Sequence, residues 1–443
     1  MLTSARTEPF DDLDRLSPAS LDRWWARKLK RVARLGFDEL PFYRERFAAA
    51  GFHPTQFRTL DDLHAIPISR KEDLLTAMQN SGSKFLGIKS YTAAPDARMT
   101  VSLSSGTSGT TFVMHTRRWR KLQGYSSSRA HWWAGLRPAT PLIMSAPAWH
   151  AYASIQPSIA MHFKNPCVVV SGTFLPRFAD RIVDAILAFR PRFITMFLPM
   201  VFSILATARR DGTSGDQLFA GVETLVVTGA PITPGMRSHL QDITGVKRVA
   251  EIAGSSENLL AVDCIHAQGL HVVPDTCYAE VLDRNSGAAV PDGQRGSVVH
   301  SSVIPAGSLY LRYDGGDVGV IDRSPCPCGL PSPRIKLLGR WEDCFTVGDN
   351  TLLPYDVQFA LETEVPELRG TALVITREGL ANGMLRLLLA APGGSAASLL
   401  DQAKASLSRR FEVPVEVSAV RDLPLRFKGV PPILSEQEAA SAA

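Results

Sequence analysis

A chain of 443 residues is too long for one ordinary hydrophobic core, so two or three domains are expected. Its composition, 45% hydrophobic and 21% charged, is that of a globular protein, and no apolar run reaches the ~18 residues of a membrane-spanning helix. The net charge of +5 is small for this length, and the basic clusters have helical spacing, which favours solvated helix faces over a nucleic-acid surface.

The chain opens with a polar segment and two predicted helices. Residues 1–8 lack the apolar core of a secretory signal peptide, so a cytoplasmic location without a membrane partner is expected. Apolar residues recur at helical spacing across residues 21–35, and a second helical segment covers 42–50.

Strand and helix patterns alternate in the middle of the chain. The strand candidates are residues 141–146, 166–170, 193–196 and 224–228, and a helix candidate at 178–189 lies among them. Such alternation predicts an α/β fold with layered sheets.

Two smaller regions follow Gly254. Short strands with turn signals, such as residues 279–283 and 296–301, predict a β-rich subdomain, and helical and strand segments alternate again towards the C-terminus. The tail, 438–443, is predicted to be disordered. We therefore expect a large N-terminal domain, residues 1–340, and a small α+β lid domain, residues 341–443.

A run of hydroxyl and glycine residues follows Leu103. Glycines allow the backbone to come close to a bulky anion, and hydroxyl and backbone N–H groups donate hydrogen bonds to phosphate. No Gly-Lys-Ser/Thr ends the run, so it is not a Walker-type P-loop, and alone it is more often a solvated turn. The candidate phosphate-binding residues are Ser104, Ser105, Gly106, Thr107, Ser108 and Gly109.

Four later segments carry further candidate ligand-binding groups. A predicted strand ends in a Gly-Ala-Pro turn at Gly229 and Thr233 then caps a helix, which opens a crevice where α/β sheets bind ligands. Glu257 follows small residues and is suited to Mg²⁺. Asp317 follows a predicted tight turn and suits ribose hydroxyls, and Arg340 lies in a turn before the final domain.

In order and spacing these motifs resemble those of the adenylate-forming enzymes, specifically the phenylacetate-CoA ligase-like branch of the AMP-dependent acyl-CoA synthetases. The resemblance covers nearly the whole chain and includes Leu-Pro-Phe-Tyr-Arg at 40–44, Gly-Leu-His-Val at 269–272 and Cys-Pro-Cys-Gly at 326–329. It implies that a carboxylic acid attacks ATP to give an acyl adenylate and pyrophosphate, with Mg²⁺ as cofactor. The acyl group then passes to a thiol as the lid rotates.

The resemblance implies a role for each matching residue. The run that begins at Ser104 would hold the β- and γ-phosphates of ATP, with Thr107 as a hydroxyl donor. The residues that would line the adenine are Gly229, Ala230, Pro231, Glu251, Ile252 and Ala253.

Other matching residues would complete the site. Glu257 would bind Mg²⁺, Asp317 the ribose hydroxyls, and Arg340 the ribose or phosphate side. Glu342 matches the acidic residue at the hinge between the large domain and the lid.

Lys428 is the predicted adenylation lysine of the lid, whose ammonium would reach between the carboxylate and the α-phosphate. The family has a Gly-Lys pair after a proline, whereas here Lys428 precedes the glycine and the serine or threonine is missing. The alternative is a surface lysine, with Arg426 or another cation acting instead.

Two further departures concern the nucleotide. Ala253 stands where the family usually has an aromatic residue against adenine, and Thr111 and Phe112 replace a proline and a basic residue after the phosphate loop. These changes motivate a second interpretation, a non-catalytic nucleotide-binding relative that serves as a partner or scaffold protein.

Four residues are candidates for a structural Zn²⁺ site, because three thiolates and one imidazole are typical of closed tetrahedral zinc. Cys264 and His271 are close in sequence, and Cys326 and Cys328 flank one proline. The resemblance supports the same four residues. Unpaired buried cysteines are the alternative, and His266 could replace His271.

The acid and the acceptor are the remaining questions. Trp149, His150 and Tyr152 fall at the family's acid-binding segment, where aromatic side chains favour an aryl or arylacetic acid, although core packing explains them equally well. The thiol acceptor is coenzyme A or the phosphopantetheine of an acyl carrier protein. A homodimer is the commonest assembly of soluble chains and is considered as well.

Overall fold

The computed structural model describes residues 6–80, 92–93, 100–103, 112–115, 117–146, 151–171, 178–255, 257, 260–304, 307–390, 396–420, 423 and 432–441. It consists of two compact units. The first comprises Met1–Leu175, Pro191–Met196 and Ala250–Lys336, and the second Pro176–Arg190, Phe197–Val249 and Leu337–Ala443. The expected domain boundary after residue 340 stays a prediction.

Helices dominate the start of the first unit. Ser17 caps the first long helix by accepting a hydrogen bond from the Ser20 backbone N–H, and Pro18 occupies the first helical position, where its missing N–H costs nothing. The helices of this unit are Pro18–Glu39, Pro41–Ala49, Lys71–Asn80, Arg117–Trp133 and Ala151–Phe163.

Tyr43 shows how these helices are attached to the rest of the unit. Its ring is buried in a core shared with the segment 303–313. Its hydroxyl donates to the Leu309 carbonyl at 2.7 Å and accepts from the Leu311 N–H at 3.0 Å. The tyrosine of the Leu-Pro-Phe-Tyr-Arg motif thus satisfies two buried backbone groups.

The first unit contains an antiparallel run of strands that confirms the predicted β-rich region. Its neighbours in order are Cys277–Leu282, Gly296–Ser302, Tyr313–Asp322, Arg334–Arg340, Leu270–Val272, Leu260–Asp263 and Arg248–Gly254. Short strands Ser69–Arg70 and Gly307–Ser308 pair with Tyr313–Asp322 and Thr92–Ala93, respectively.

Parallel strands and a hairpin complete the first unit. Leu142–Ala146 lies between Cys167–Ser171 and Phe193–Phe197 and runs parallel to both, as the alternating pattern predicts. Thr100–Leu103 and Phe112–His115 pair as an antiparallel hairpin, with Leu103 opposite Phe112.

The second unit contains helices, the strand Thr224–Thr228 and a C-terminal region that has its own core. Its helices are Ala179–Phe189, Leu198–Arg210, Gly215–Leu218, Pro234–Thr244, Pro354–Glu364, Arg377–Ala381, Ala396–Phe411 and Glu436–Ser441. Its strands are Thr224–Thr228, Phe345–Val347, Asn350–Leu352, Leu373–Thr376, Leu385–Ala390, Val415–Val420 and Ile433–Leu434. Residues between 345 and 415 form a separate hydrophobic cluster, as expected of a small α+β domain.

The prediction of a disordered tail was wrong for residues 438–441, which belong to the helix Glu436–Ser441. Ser435 and Glu438 form a capping box, because the Ser435 N–H donates to Glu438 and the Glu438 N–H donates to the Ser435 hydroxyl. Ala439 is buried against Val374 and Leu434. Within the described residues, no helix combines the length and the apolarity needed to cross a membrane.

Candidate active site and metal centre

Four side chains from distant parts of the sequence meet in the interior of the first unit. The ligand atoms of Cys264, His271, Cys326 and Cys328 all lie within 4.8 Å of one another, and all four residues are buried. The Cys264 and Cys326 sulfurs are 3.8 Å apart, and the Cys328 sulfur is 3.3 Å from His271 Nε2. This arrangement brings together the four predicted zinc ligands, with His271 rather than His266 in the cluster.

Strand pairing explains why these residues meet. Cys264 directly follows the strand Leu260–Asp263, and His271 lies on the adjacent strand opposite Val262. On its other side His271 pairs with Arg334, which begins the strand after the Cys-Pro-Cys loop. The antiparallel register therefore brings Cys264 and His271 close to the Cys-Pro-Cys loop.

The surroundings of the cluster orient its ligands. His271 Nδ1 donates to the Ser332 carbonyl at 2.8 Å, which turns Nε2 towards the sulfurs. The hydrogen bond from the Cys328 thiol holds the pKa of the Cys264 thiol well below its usual range, and the same bond raises the pKa of Cys328. A thiolate is thus favoured at Cys264, and thiolate is the form that binds metal.

A buried ionic cluster next to this centre was not predicted from the sequence. The Arg129 side chain is 1% exposed and forms ion pairs with Asp11, Asp14 and Asp275. Trp133 Nε1 donates to Asp14 at 2.8 Å, and the Trp133 ring packs edge-on against the ring of His271, with centroids 6.2 Å apart. The cluster ties the N-terminal segment to the metal-ligand region.

The backbone of the N-terminal segment reaches the cysteine loop directly. The Thr7 N–H donates to the Cys328 carbonyl at 2.8 Å. Nothing in the local sequence around Thr7 or Arg129 marks this contact, because its partners are more than a hundred residues away along the chain.

The predicted strand-to-helix crevice at Gly229 lies in the second unit. Strand Thr224–Thr228 leads through Gly229 to the helix Pro234–Thr244, whose cap Thr233 accepts from the Met236 N–H at 3.0 Å. Gly229 has a φ of +93°, and an added Cβ would lie 2.4 Å from the Phe197 ring. Only glycine fits here without displacing Phe197.

The other predicted adenine-lining residues lie on the strand Arg248–Gly254. Glu251, Ile252 and Ala253 are all buried. The Glu251 N–H donates to the buried Asp263 carboxylate at 2.8 Å. Ala253 pairs with Ala261 on the neighbouring strand, so small side chains face each other at this position.

The sequence predicted that Asp317 follows a tight turn, and this was wrong. Asp317 lies within the continuous strand Tyr313–Asp322. The strand pairing shifts between Ser297, which is opposite Val318, and Val299, which is opposite Asp314. The extra residues form a β-bulge, where Gly316 has a φ of +87° and its N–H donates to Asp314 at 2.9 Å. A bulge re-aims the side chain of Asp317 while the strand continues.

Both backbone polar groups of Glu257 form hydrogen bonds. Its N–H donates to the Ser255 hydroxyl at 3.1 Å, and its carbonyl accepts from His300 Nε2 at 2.6 Å. Its side chain is half-buried, which suits a carboxylate that meets a hydrated cation.

Arg340 and Glu342 lie in the second unit at the end of the strand Arg334–Arg340. Arg340 Nη1 donates to the Glu342 carboxylate at 3.2 Å, and both side chains are partly exposed. Glu342 belongs to a single 3₁₀ turn, Trp341–Asp343, which connects this strand to the residues of the C-terminal core.

Tyr152 is held by a buried histidine. Its hydroxyl donates to His131 Nε2 at 2.7 Å, and His131 Nδ1 donates to the Ser127 carbonyl at 2.7 Å. Burial lowers the pKa of His131 to about 4 and raises the pKa of Tyr152. Both side chains are therefore neutral at neutral pH.

Some predicted site residues lie outside the described residues. They are the phosphate run Ser104 to Gly109, the acid-pocket residues Trp149 and His150, and Lys428. The described strands Thr100–Leu103 and Phe112–His115 come directly before and close after the phosphate run.

Comparison with known proteins adds an independent observation. Residues 53–306 match the family described as AMP-binding enzyme. Over 382 residues the chain is 28% identical to the phenylacetate-coenzyme A ligase of Thermus thermophilus, which covers 83% of this chain and 81% of that one. The phenylacetate-coenzyme A ligase of Aromatoleum evansii is 26% identical over 372 residues, with 80% and 78% covered.

A solved structure has the same fold. The crystal structure of 2-hydroxyisobutyryl-CoA ligase in the postadenylation state, in complex with 2-HIB-AMP, matches with a TM-score of 0.85. The sequence identity is 21%, and the match covers 100% of this chain and 96% of the other.

Proposed function

Because the chain belongs to the family of AMP-binding enzymes, we propose that it is an AMP-forming acyl-CoA ligase for an aromatic carboxylic acid. The observation that carries the acyl-CoA assignment is the alignment with phenylacetate-coenzyme A ligases over about four fifths of both chains. ATP-dependent formation of an acyl adenylate is followed by formation of the thioester. Coenzyme A is the proposed acceptor because those relatives carry it in their names.

The nucleotide-binding roles rest on the geometry of each segment. Gly229 allows the backbone to pass Phe197 closely at the carboxyl end of its strand, which is where α/β sheets bind ligands. The β-bulge presents Asp317 from a strand, so its carboxylate is a rigid acceptor for ribose hydroxyls. Arg340 lies two residues before the predicted hinge acid and is a cation for the ribose or phosphate side.

The phosphate and cation roles complete the first half-reaction. The run from Ser104 to Gly109 would hold the β- and γ-phosphates, and Lys428 would stabilise charge between the acid and the α-phosphate. Glu257, with its half-buried side chain and fixed backbone, would hold Mg²⁺. When bound, that ion offsets phosphate charge as pyrophosphate leaves.

The aromatic substrate follows from the segment that includes Tyr152. The hydrogen bond to His131 fixes the phenol ring, and a fixed aromatic ring suits stacking with a flat acid. Trp149 and His150 are proposed to line the same pocket.

An acid-dependent ATP–pyrophosphate exchange assay tests the first half-reaction. Aryl acids, including phenylacetate, are expected to support exchange better than alkyl acids of similar size. Exchange with none of the acids, although AMP binds, would instead favour the scaffold interpretation. Thioester formation with coenzyme A, compared with a phosphopantetheinylated carrier protein, then identifies the acceptor.

We further propose that Cys264, His271, Cys326 and Cys328 bind a structural Zn²⁺ ion. Three sulfurs and one imidazole at these distances fit a tetrahedral site, and the Nδ1 hydrogen bond to Ser332 gives the orientation that zinc-binding histidines have. All four positions are protein ligands, so the ion would brace the antiparallel run and leave no coordination site for substrate.

Metal analysis of the purified protein tests the zinc proposal. About one zinc ion per chain is expected, and Cys264→Ser should lower this content. Cys277→Ser removes a buried thiol outside the cluster and is the matched control, which should keep its zinc. Less than half a zinc ion per chain in the unmodified protein, after mild purification, would contradict the proposal.

A further inference from the structure

Glu257, the residue proposed above to hold Mg²⁺, lies between two paired strands of the first unit. The strands Arg248–Gly254 and Leu260–Asp263 form an antiparallel pair that ends at Gly254 and Leu260, and Glu257 is midway between these two residues in the sequence. The tip of a loop is commonly among the least ordered parts of a protein. A carboxylate at this position therefore needs a further restraint if it is to be held in one place.

His300 supplies a long-range restraint on this loop. Its Nε2 donates a hydrogen bond to the Glu257 carbonyl oxygen at 2.6 Å. Because a carbonyl oxygen only accepts, Nε2 is the nitrogen that carries the proton. His300 belongs to the strand Gly296–Ser302, which three other strands separate from Leu260–Asp263 in the order of the sheet. The bond thus attaches the loop to a strand outside its own hairpin.

The imidazole of His300 is itself held in place. The residue is 3% exposed, and its strand is paired on both sides, with Cys277–Leu282 and with Tyr313–Asp322. The ring of Tyr313 packs edge-on against the imidazole, with centroids 5.5 Å apart, and the centroid of the Tyr310 ring is 6.3 Å away. A donor that is fixed by burial and by two neighbouring strands restrains its acceptor in turn.

The same hydrogen bond accounts for a polar side chain at this buried position. Within the part of the chain that the structure describes, the Glu257 carbonyl is the one hydrogen-bond partner of the imidazole. If the loop moved away, the buried N–H would be left without an acceptor, which is unfavourable. This penalty acts on the backbone of the residue that is proposed to bind the cation.

We propose that His300 is a positioning residue for Mg²⁺, because it holds the backbone of Glu257 so that the carboxylate is in place before the ion binds. This role depends on the proposed function, in which Glu257 binds Mg²⁺ together with ATP. Holding the loop beforehand raises the affinity for the ion, since the loop need not be ordered during binding.

Calorimetric titration without any acid substrate tests this role apart from catalysis. The two ligands are ATP with Mg²⁺ and, as a probe of the nucleotide site without metal, AMP in EDTA. His300→Leu removes the donor and should weaken binding of ATP with Mg²⁺ at least about fivefold, while AMP binding changes less than about twofold. His300→Gln, whose side-chain N–H reaches the same carbonyl, should keep both affinities within about twofold of the unmodified protein.

A double variant separates positioning from a general structural effect. In the Glu257→Gln background, His300→Leu should weaken binding of ATP with Mg²⁺ by less than about a further twofold, because the carboxylate that it positions is gone. Val298→Ala shortens a buried side chain of the same strand and is the matched control, which should keep the affinity of the unmodified protein. His300→Phe retains an aromatic ring beside Tyr313 and is the second variant without a donor.

The outcomes distinguish this role from the proposed function on which it depends. If Glu257→Gln leaves binding of ATP with Mg²⁺ unchanged, the assignment of Mg²⁺ to Glu257 fails, and the role of His300 fails with it. If Glu257→Gln weakens binding but His300→Leu and His300→Phe do not, the positioning role alone is overturned. The same holds if His300→Leu weakens binding equally with and without the Glu257 carboxylate.

Discussion

At the scale of single residues, Gly229 is subject to two constraints, one on its backbone conformation and one on the space beside its Cα. Its backbone conformation is one that residues with a Cβ disfavour, and the space beside its Cα is filled by Phe197. Gly212 has a similar φ of +81° but has nothing within 4 Å of an added Cβ. The two glycines therefore form a matched pair.

Gly229→Ala is expected to lower the free energy of unfolding by at least about 2 kcal/mol, because strain and overlap add. Gly212→Ala should cost only about 1 kcal/mol, from backbone strain alone. Urea denaturation of both variants measures the difference. Equal losses would show that Phe197 moves aside without cost. AMP affinity should fall in Gly229→Ala only.

Two buried histidines predict a dependence of stability on pH. Burial lowers the pKa of His131 and of His300 to about 4, whereas an exposed histidine has a pKa of about 6.5. Below pH 6.5 the unfolded chain gains protons that the folded protein does not bind, so stability present at pH 7 is lost as the pH falls towards 4.

His131→Gln should reduce this loss of stability by about 2 kcal/mol at pH 5, relative to the unmodified protein. Urea denaturation between pH 7 and pH 5 gives the slope for each. A slope in His131→Gln as steep as that of the unmodified protein would mean that His131 is protonated in the folded state.

At the scale of elements, the helix Pro234–Thr244 is joined to the helix Pro354–Glu364 inside the second unit. The Thr233 hydroxyl caps the first helix and also donates to Glu362, which is buried and accepts from Gln358 at 3.0 Å. Gly235 lies so close to Glu362 that an added Cβ would be 2.4 Å from its carboxylate.

Thr233→Ala should therefore lower the free energy of unfolding by about 2 kcal/mol, since the cap and a donor to a buried carboxylate are lost together. Thr233→Ser retains the hydroxyl and should remain within about 0.5 kcal/mol of the unmodified protein. Chemical denaturation distinguishes them. A loss in Thr233→Ser as large as in Thr233→Ala would point to the methyl group instead.

The contact between the N-terminal segment and the helix Arg117–Trp133 depends on Arg129. Burial raises the pKa of Asp14, so removing the arginine leaves a carboxyl group that is poorly placed for ionisation. Arg129→Met is expected to cost about 3–5 kcal/mol, because breaking a buried ion pair strands its partner. Arg210→Met, which removes an exposed partner of Asp180, should have no measurable effect on urea denaturation. If Arg129→Met left the free energy of unfolding unchanged, the acids that contact Arg129 would have to be protonated.

At the scale of the whole molecule, the two half-reactions are expected to differ in their need for the hinge. Glu342→Pro restricts the backbone at Trp341–Asp343. It should lower thioester formation more than tenfold while ATP–pyrophosphate exchange changes less than threefold. Glu342→Ala, which keeps the backbone free, separates the carboxylate from the conformational effect. Equal losses in both assays would contradict a hinge at this position.

The sequence was sufficient where a pattern is local. Alternating strands and helices and the Thr233 cap could be read from it. The four metal-ligand candidates are far apart in sequence and were supported by the family resemblance, which the match over residues 53–306 confirms. It was insufficient where the deciding contact is distant. The bulge before Asp317 depends on pairing with the strand Gly296–Ser302, and a glycine pair in sequence is compatible with a turn as well.

Charged residues were the hardest to interpret. A basic helix face is usually solvated, yet Arg129 is buried with acids from two distant segments. Arg312 is likewise buried, in an ion pair with Glu280. The tail helix Glu436–Ser441 contains few apolar residues. It is ordered because Ala439 packs into a hydrophobic cluster, which the composition of the tail does not reveal.

The contact of Asp14 with Arg129 has a consequence for synthesis of the chain. Asp14 leaves the ribosome 115 residues before Arg129. Thr7 and its hydrogen-bond partner Cys328 are separated by a longer stretch of chain still. Until then the carboxylate is in water, where its charge costs nothing. In synthesis the N-terminal segment therefore docks only after these distant residues have been made, an order that refolding from denaturant does not impose.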